Sequence, residues 1–241
     1  HGYRTIHCGK AHFGAESTPG ANPLNLGFDV NIAGHAAGAP GSYQGIKNFS
    51  AKWRNGSPSW DVPSLAKYHG QDINLTEALT REVKLVLDST INTKQPFFLH
   101  MAHYAVHTPL EEDKRYINNY NQLDEKEAKY ASMVESMDKS LGDILDYLEM
   151  KGVLENTIIL FTSDNGGLSA VARGGEPHTH NLPLSSGKGS AHEGGIREPM
   201  IVSWPGVIQP KSETSEYLII EDFFPTILAM AGIENYKTVQ T

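Results

Sequence analysis

The sequence predicts an α/β protein built on a mostly parallel, mixed sheet with helices on both faces. Two observations carry this. Four short apolar runs, at 3–8, 96–104, 157–163 and 199–205, have the length of strands buried on both sides. Between them lie segments whose apolar residues recur every three and four positions, as in amphipathic helices.

The first run is YRTIHC. After it, residues 15–69 are rich in Gly, Pro, Asn and Ser with little periodicity, which predicts a long ordered loop region over one end of the sheet. In LTEALTREVKLVLDSTI, the residues Leu75, Leu79, Val83, Val86 and Leu87 form a helical stripe, with Asn74 or Thr76 as its cap. PFFLHMAHY is the second strand. The longest helix follows, marked by Tyr130, Met133, Val134, Met137, Leu141, Ile144, Leu145 and Leu148 and stopped by Gly152. TIILFTS and PMIVSWP are the last two strands, separated by a second glycine-rich loop at 173–197, and 221–232 reads as a final helix.

Composition narrows the function. The 241 residues are 39% hydrophobic and 20% charged, enough for a sizeable core. A net charge of −8 without any basic block argues against a nucleic-acid partner, yet a few local cations could still hold a small anion. No stretch is long and apolar enough to span a membrane, and a single cysteine excludes an internal disulfide framework.

Open α/β sheets gather ligands beyond the carboxyl ends of their strands. After the first run, Lys10 and His12 alternate so that both fall on one face of an extended segment. By themselves they read first as a polar strand-end turn. His107 follows the second run before Thr-Pro, while His100 and His103 read as strand residues. Asp164-Asn165-Gly-Gly ends the third run; its oxygens suit a hard cation such as Ca²⁺ or Mg²⁺, or simply an Asn-Gly turn. Lys188 stands between two glycines, outside any Walker frame. Together, two lysines, two histidines and an Asp-Asn pair suggest a site for a tetrahedral oxyanion beside a cation.

The blocks GYRTIHCGKAHFG, GFDVNIAG, PFFLHMAHYAVHTPL, YASMVESMDKSLGDILDYL, NTIILFTSDNGG, LSSGKGSAHEGGIREPMIVSWPG and EDFFPTILAMAG occur in the order seen in type I sulfatases of the alkaline-phosphatase superfamily. The chain resembles that family over nearly its whole length, and the GFDVNIAGHAAGAPGSY block looks most like bacterial polysaccharide sulfatases. The resemblance implies that Lys10 contacts the nucleophile and a sulfate oxygen, and that His12 deprotonates the nucleophile's second hydroxyl. It implies that His107 and Lys188 bind the sulfate and protonate the leaving oxygen, and that Asp164 and Asn165 ligate Ca²⁺; His192 departs from the family, which often has an aromatic residue there, and reads as part of a substrate-facing loop. The family's nucleophile is a hydrated formylglycine, which attacks sulfur and then expels inorganic sulfate.

That nucleophile arises from Cys or Ser in C/S-x-P-x-R, a motif these 241 residues lack; Cys8 has neither the proline nor the arginine. The upstream Asp-Asp ligand pair and the small C-terminal subdomain of the family are not found either. The expectation is a central part of a sulfatase catalytic domain, truncated at both ends, which alone binds Ca²⁺ poorly and turns over nothing. The implied substrate is a sulfated small molecule or glycan and the implied compartment periplasmic or extracellular; oligomeric state is not legible. Glu193 and Arg197 are expected to pair structurally. His192 with His178 and His180 could alternatively suggest a histidine metal site, and Trp53, Trp60, Tyr43 and Tyr68 could stack on sugars or pack loops. A phosphomonoesterase or phosphodiesterase of the superfamily, or a non-catalytic sulfated-glycan-binding relative, are the competing readings.

Overall fold

The structure, a computed structural model, describes residues 1–168 and 181–233. Strands β1 (Arg4–Gly9), β2 (Val30–Ile32) and β3 (Phe97–Ala102) form a parallel sheet in the order β2-β1-β3. Helix α1 (Leu75–Asn92) makes the crossover to β3, and α2 (Glu125–Met150) packs on α1. Asn74 is the α1 cap, its side chain accepting the Thr76 N–H at 2.9 Å. Asp124 caps α2, and Gly152 ends it with φ +69°. The α/β class thus holds.

The alternation of side chains sorts β1 into two faces. Ile6 and Cys8 meet Leu75, Leu79, Val83 and Leu87 of α1, which α2 backs with Met133, Ile144 and Leu148. Cys8 is fully buried, its thiol pKa raised by burial, consistent with packing rather than reactivity. The opposite face carries His7 and His100, whose Nδ1 atoms lie 3.1 Å apart under Phe13 and Phe28.

Two expectations change. The 15–69 region is more than loop: it contributes β2, six 3₁₀ turns between Pro19 and Tyr68, and the core residues Tyr43, Phe49, Val62 and Leu65. Its strand is three residues long, too short to leave a periodic trace. The third and fourth apolar runs do form strands, β4 (Ile159–Thr162) and β5 (Met200–Ser203), but they pair antiparallel with each other rather than joining the parallel sheet. Ile201 is 63% exposed, so this pair is not buried on both faces. Helices α3 (Glu193–Ile196) and α4 (Ile220–Met230), with 3₁₀ turns at Ile117–Tyr120 and Leu154–Asn156, complete the described elements.

Between the apolar layers runs a stripe of buried serines on α2, four residues apart. Ser132 accepts the Asp113 N–H, Ser136 accepts from Arg115, and Ser140 bonds both Thr80 of α1 (2.6 Å) and His103 beyond β3 (2.9 Å). Nearby, Glu111 is buried yet accepts from Ser42 Oγ, the Tyr43 N–H and Lys47 Nζ. This carboxylate pins the 42–47 turn to the segment following β3.

Burial lowers the pKa of His103 from 6.5 to about 4. His7 is lowered equally far, by burial and then by His100, against the Gly9 carbonyl. The unfolded chain therefore takes up protons near pH 6.5 that the folded chain refuses until about pH 4. Stability is complete above pH 6.5 and falls as pH drops toward 4, by up to about 1.4 kcal/mol per pH unit for each histidine. Urea titrations at pH 7.5 and 5.0 read this, and His103→Gln should flatten the dependence; equal midpoints at both pH values would refute it. Glu111→Ala should cost about 3–5 kcal/mol at pH 7 by stranding Lys47 and two donors, read from the urea midpoint.

Candidate active site

The site is assembled where β1 ends. Gly9 has φ +100°, and a Cβ there would lie 1.9 Å from the Ala102 carbonyl oxygen, so only glycine lets β1 finish flush against β3. The next N–H, of Lys10, donates to that same carbonyl at 2.7 Å. The lysine side chain then reaches across the molecule, its Nζ 3.2 Å from Asp164 Oδ2. Asp164 is 68% exposed at its side chain, so the ion pair contributes little to stability. Its importance is positional, joining the end of β1 to the loop after β4.

That loop is held by backbone contact. Gly166 donates its N–H to the Gly195 carbonyl, and a Cβ on Gly166 would strike the Gly194 carbonyl oxygen at 1.9 Å. The Lys188 N–H donates to the Gly167 carbonyl at 3.0 Å. Asn181 completes the clamp, accepting the Gly167 N–H and donating to the carbonyls of Gly167 and Ser186. Asp164, Asn165 and Lys188 are therefore placed together by main-chain bonds.

The two histidines lie on the segments that follow β1 and β3. His12 adopts φ +57° and donates its N–H to the His35 carbonyl; a Cβ on Gly38 would fall 2.7 Å from its Nδ1. His107 donates its N–H to the Tyr104 carbonyl, and its Nδ1 lies 2.9 Å from the Thr108 carbonyl oxygen. Tyr104 links the pair: its hydroxyl bonds the Ala33 carbonyl and His35 Nδ1. Tyr43 supports His107 further, donating its hydroxyl proton to the His107 carbonyl at 2.9 Å.

His192 is exposed at the N-terminus of α3, and among the described residues its ring makes no hydrogen bond or ion pair. Glu193 and Arg197 pair at 3.0 Å, as the sequence suggested. His178, His180 and most of the 173–186 loop lie outside the described residues. Sequence reasoning missed Tyr104, His35 and Asn181, and named Tyr43 only for stacking or loop packing; their roles are hydrogen bonds to backbone or to one another.

Glu198 bears on the cation. Its Oε1 is buried without a hydrogen-bond partner, and its carboxyl is held above the usual range by burial and by the Asp164 charge. The unpartnered Glu198 Oε1 and the Asp164 carboxylate, with the Asn165 amide adjacent, fit a hard cation in chemistry. They are a partial set: among the described residues no three His, Cys, Asp or Glu side chains converge to hold a metal, and Ca²⁺ takes about 6–8 oxygens.

Comparison with known proteins places this arrangement. The family profile described as Sulfatase matches residues 1–233. The mouse N-acetylgalactosamine-6-sulfatase is 31% identical over 97% of this chain and 44% of its own length. A sulfatase of Formosa agariphila is 33% identical over 74% of the chain and 32% of its own. The crystal structure of Ps i-CgsB with k-i-k-neocarrahexaose superposes with a TM-score of 0.81 at 28% identity, covering 98% of this chain and 52% of that one. The chain thus spans less than half the length of the curated relatives it matches over most of its own. With a family match across 233 residues and relatives above 30% identity, the chain belongs to the sulfatase family.

Proposed function

We propose that this chain carries the sulfate- and cation-binding part of a sulfuric ester hydrolase acting on sulfated carbohydrate. The observation that carries the reading is the Lys10–Asp164 pair, which brings a cation and a cation-binding carboxylate together across 154 residues. Main-chain bonds then add Lys188 to the same loop. Lys10 and Lys188 neutralise sulfate oxygens, whose charge spreads as the ester bond breaks. His107 binds sulfate with Lys188 and, with it, gives a proton to the departing sugar oxygen. Its Nδ1 faces a carbonyl, which fixes the proton there and leaves Nε2 as the exchanging nitrogen. His12 takes a proton from the nucleophile, and His192 lies on the substrate side of its loop.

Asp164 and Asn165 would hold Ca²⁺, or Mg²⁺ in its place, which when bound stabilises negative charge on the sulfate. Formylglycine, whose precursor motif does not occur in residues 1–241, would supply the attacking hydroxyl from outside them. The carbohydrate assignment is supported by relatives named for N-acetylgalactosamine 6-sulfate and by one solved with a neocarrahexaose. The reading extends to a periplasmic or extracellular enzyme, where extended sulfated glycans would be met.

Calorimetry with a monosulfated galactose tests the binding half directly on this chain. Lys10→Ala and Lys188→Ala should each remove a charge-assisted contact of about 1.5–3 kcal/mol, an affinity loss of about tenfold or more. Unchanged affinity in both would remove the proposal's basis. In the polypeptide bearing the nucleophile, His107→Gln should lower kcat roughly 10²–10⁴-fold with a smaller change in KM. Matched aryl esters decide the class: the sulfate should turn over faster than the phosphate, and the reverse order would make the enzyme a phosphatase.

A further inference from the structure

The tyrosines and tryptophans of the 15–69 region divide sharply. Tyr43 and Tyr68 are 1% and 7% exposed, and both hydroxyls are engaged, with the His107 carbonyl and with Glu82. They pack the loops. Trp53 and Trp60 stay 47% and 41% exposed on adjacent 3₁₀ turns, Ala51–Arg54 and Pro58–Trp60, that touch each other. Each indole carries a cation: Lys47 Nζ is 3.9 Å from the Trp53 ring centroid, and Arg54 Cζ is 4.6 Å from that of Trp60.

Local charge reinforces the pattern. Residues 45–61 hold Lys52 and Arg54, with Lys47 whose ammonium also pairs with the buried Glu111, against the single acid Asp61, in a chain whose net charge is −8. Asp61 is half-buried, its Oδ1 accepting the Ala51 N–H at 2.7 Å. An open cleft of about 370 Å³ lies between the two turns, lined by Lys52 with Ser50, Asn55 and Asp61.

The patch is also fixed relative to the candidate active site. Trp53 Nε1 donates to the Gly41 carbonyl, and Arg54 Nη2 to that of Pro40. Segment 38–43 runs from Gly38, against the His12 ring, to Tyr43, bonded to His107. Trp53 therefore hangs from the strip of chain that connects the two histidines, and Trp60 is tied to it through Arg54, which lies over its ring.

We infer that Trp53 and Trp60, with Lys47 and Arg54 on their rings, form a subsite for further units of a sulfated polysaccharide whose reacting ester lies at Lys10 and Lys188. The inference rests on the sulfuric ester reading above. An indole face accepts the C–H face of a sugar ring, and a lysine or arginine beside it meets the sulfate that ring carries. Because the Trp53 N–H and the Arg54 guanidinium are already bonded to backbone, little ordering is left to be done on binding. A neutral glycan would use the rings and leave the cations idle. A lone sulfate would use neither ring.

NMR of the indole N–H signals, with Trp204 as internal reference, and calorimetry on the full 241-residue chain test this with three probes: a monosulfated galactose, a sulfated galactan hexasaccharide and its desulfated form. The sulfated hexasaccharide should shift Trp53 and Trp60 but not Trp204, and bind about tenfold or more tighter than the monosaccharide. That advantage should disappear in Trp53→Ala/Trp60→Ala, shrink in Trp53→Phe/Trp60→Phe with Arg54→Gln, and be weak for the desulfated probe. The phenylalanine variant guards against misfolding in the alanine one. Unmoved Trp53 and Trp60 signals, or equal hexasaccharide affinity in the variants, would overturn the subsite. The monosaccharide reads the other proposal separately: if it fails to bind while the indoles still respond to the hexasaccharide, the sulfate pocket falls and the glycan surface stands.

Discussion

The site depends on main chain lying directly against main chain. Beyond Gly9 the chain turns under the Ala102 carbonyl, and Gly166 rests on the carbonyl of Gly194; a single methyl group at either place would collide with an oxygen. Hydrated charges cannot be positioned by apolar burial, because burying Lys10 or Asp164 would cost more than their mutual attraction returns. Here the charges stay at the surface and the backbone beneath them is fixed instead. The sequence spends its glycines where carbonyls must approach, and the lysines and the Asp-Asn pair follow from that.

The apolar core reaches the site through hydroxyl groups. Tyr43 and Tyr104 belong to the same buried cluster as α1 and α2, yet their phenol oxygens end on the His107 carbonyl, on the Ala33 carbonyl and on His35. Burial of the rings supplies the stability, and the oxygen at the tip supplies the direction. Glu111 does similar work for the 42–47 turn, so order in the helical layer is carried outward to both histidines without either being buried among apolar groups.

Periodicity made α1, α2 and α4 legible, and apolar runs revealed β1, β3, β4 and β5. The pairing of β4 with β5 could not be read, since short apolar runs look alike whether they join a parallel or an antiparallel neighbour. β2 was hidden by its length, and the serine stripe of α2 by its chemistry, because Ser132, Ser136 and Ser140 look like a polar face until Asp113, Arg115 and His103 are seen against them. Of the site, the charged residues at strand ends stood out because such types are unexpected there. Tyr104, His35 and Asn181 gave no signal: a residue that holds backbone has no characteristic spacing.

The His7–His100 contact has a consequence of its own. His7 Nε2 lies 3.1 Å from the Gly9 carbonyl oxygen, which can only accept, so His7 must donate there and its Nδ1 must accept from His100. The donors therefore run one way, from His100 through His7 to Gly9. A second proton on His7 would set two N–H groups against each other and break the sequence at its middle. The carbonyl that closes β1, one residue before Lys10, is thus held by a ring whose own tie to its neighbour across the sheet lasts only while His7 is uncharged.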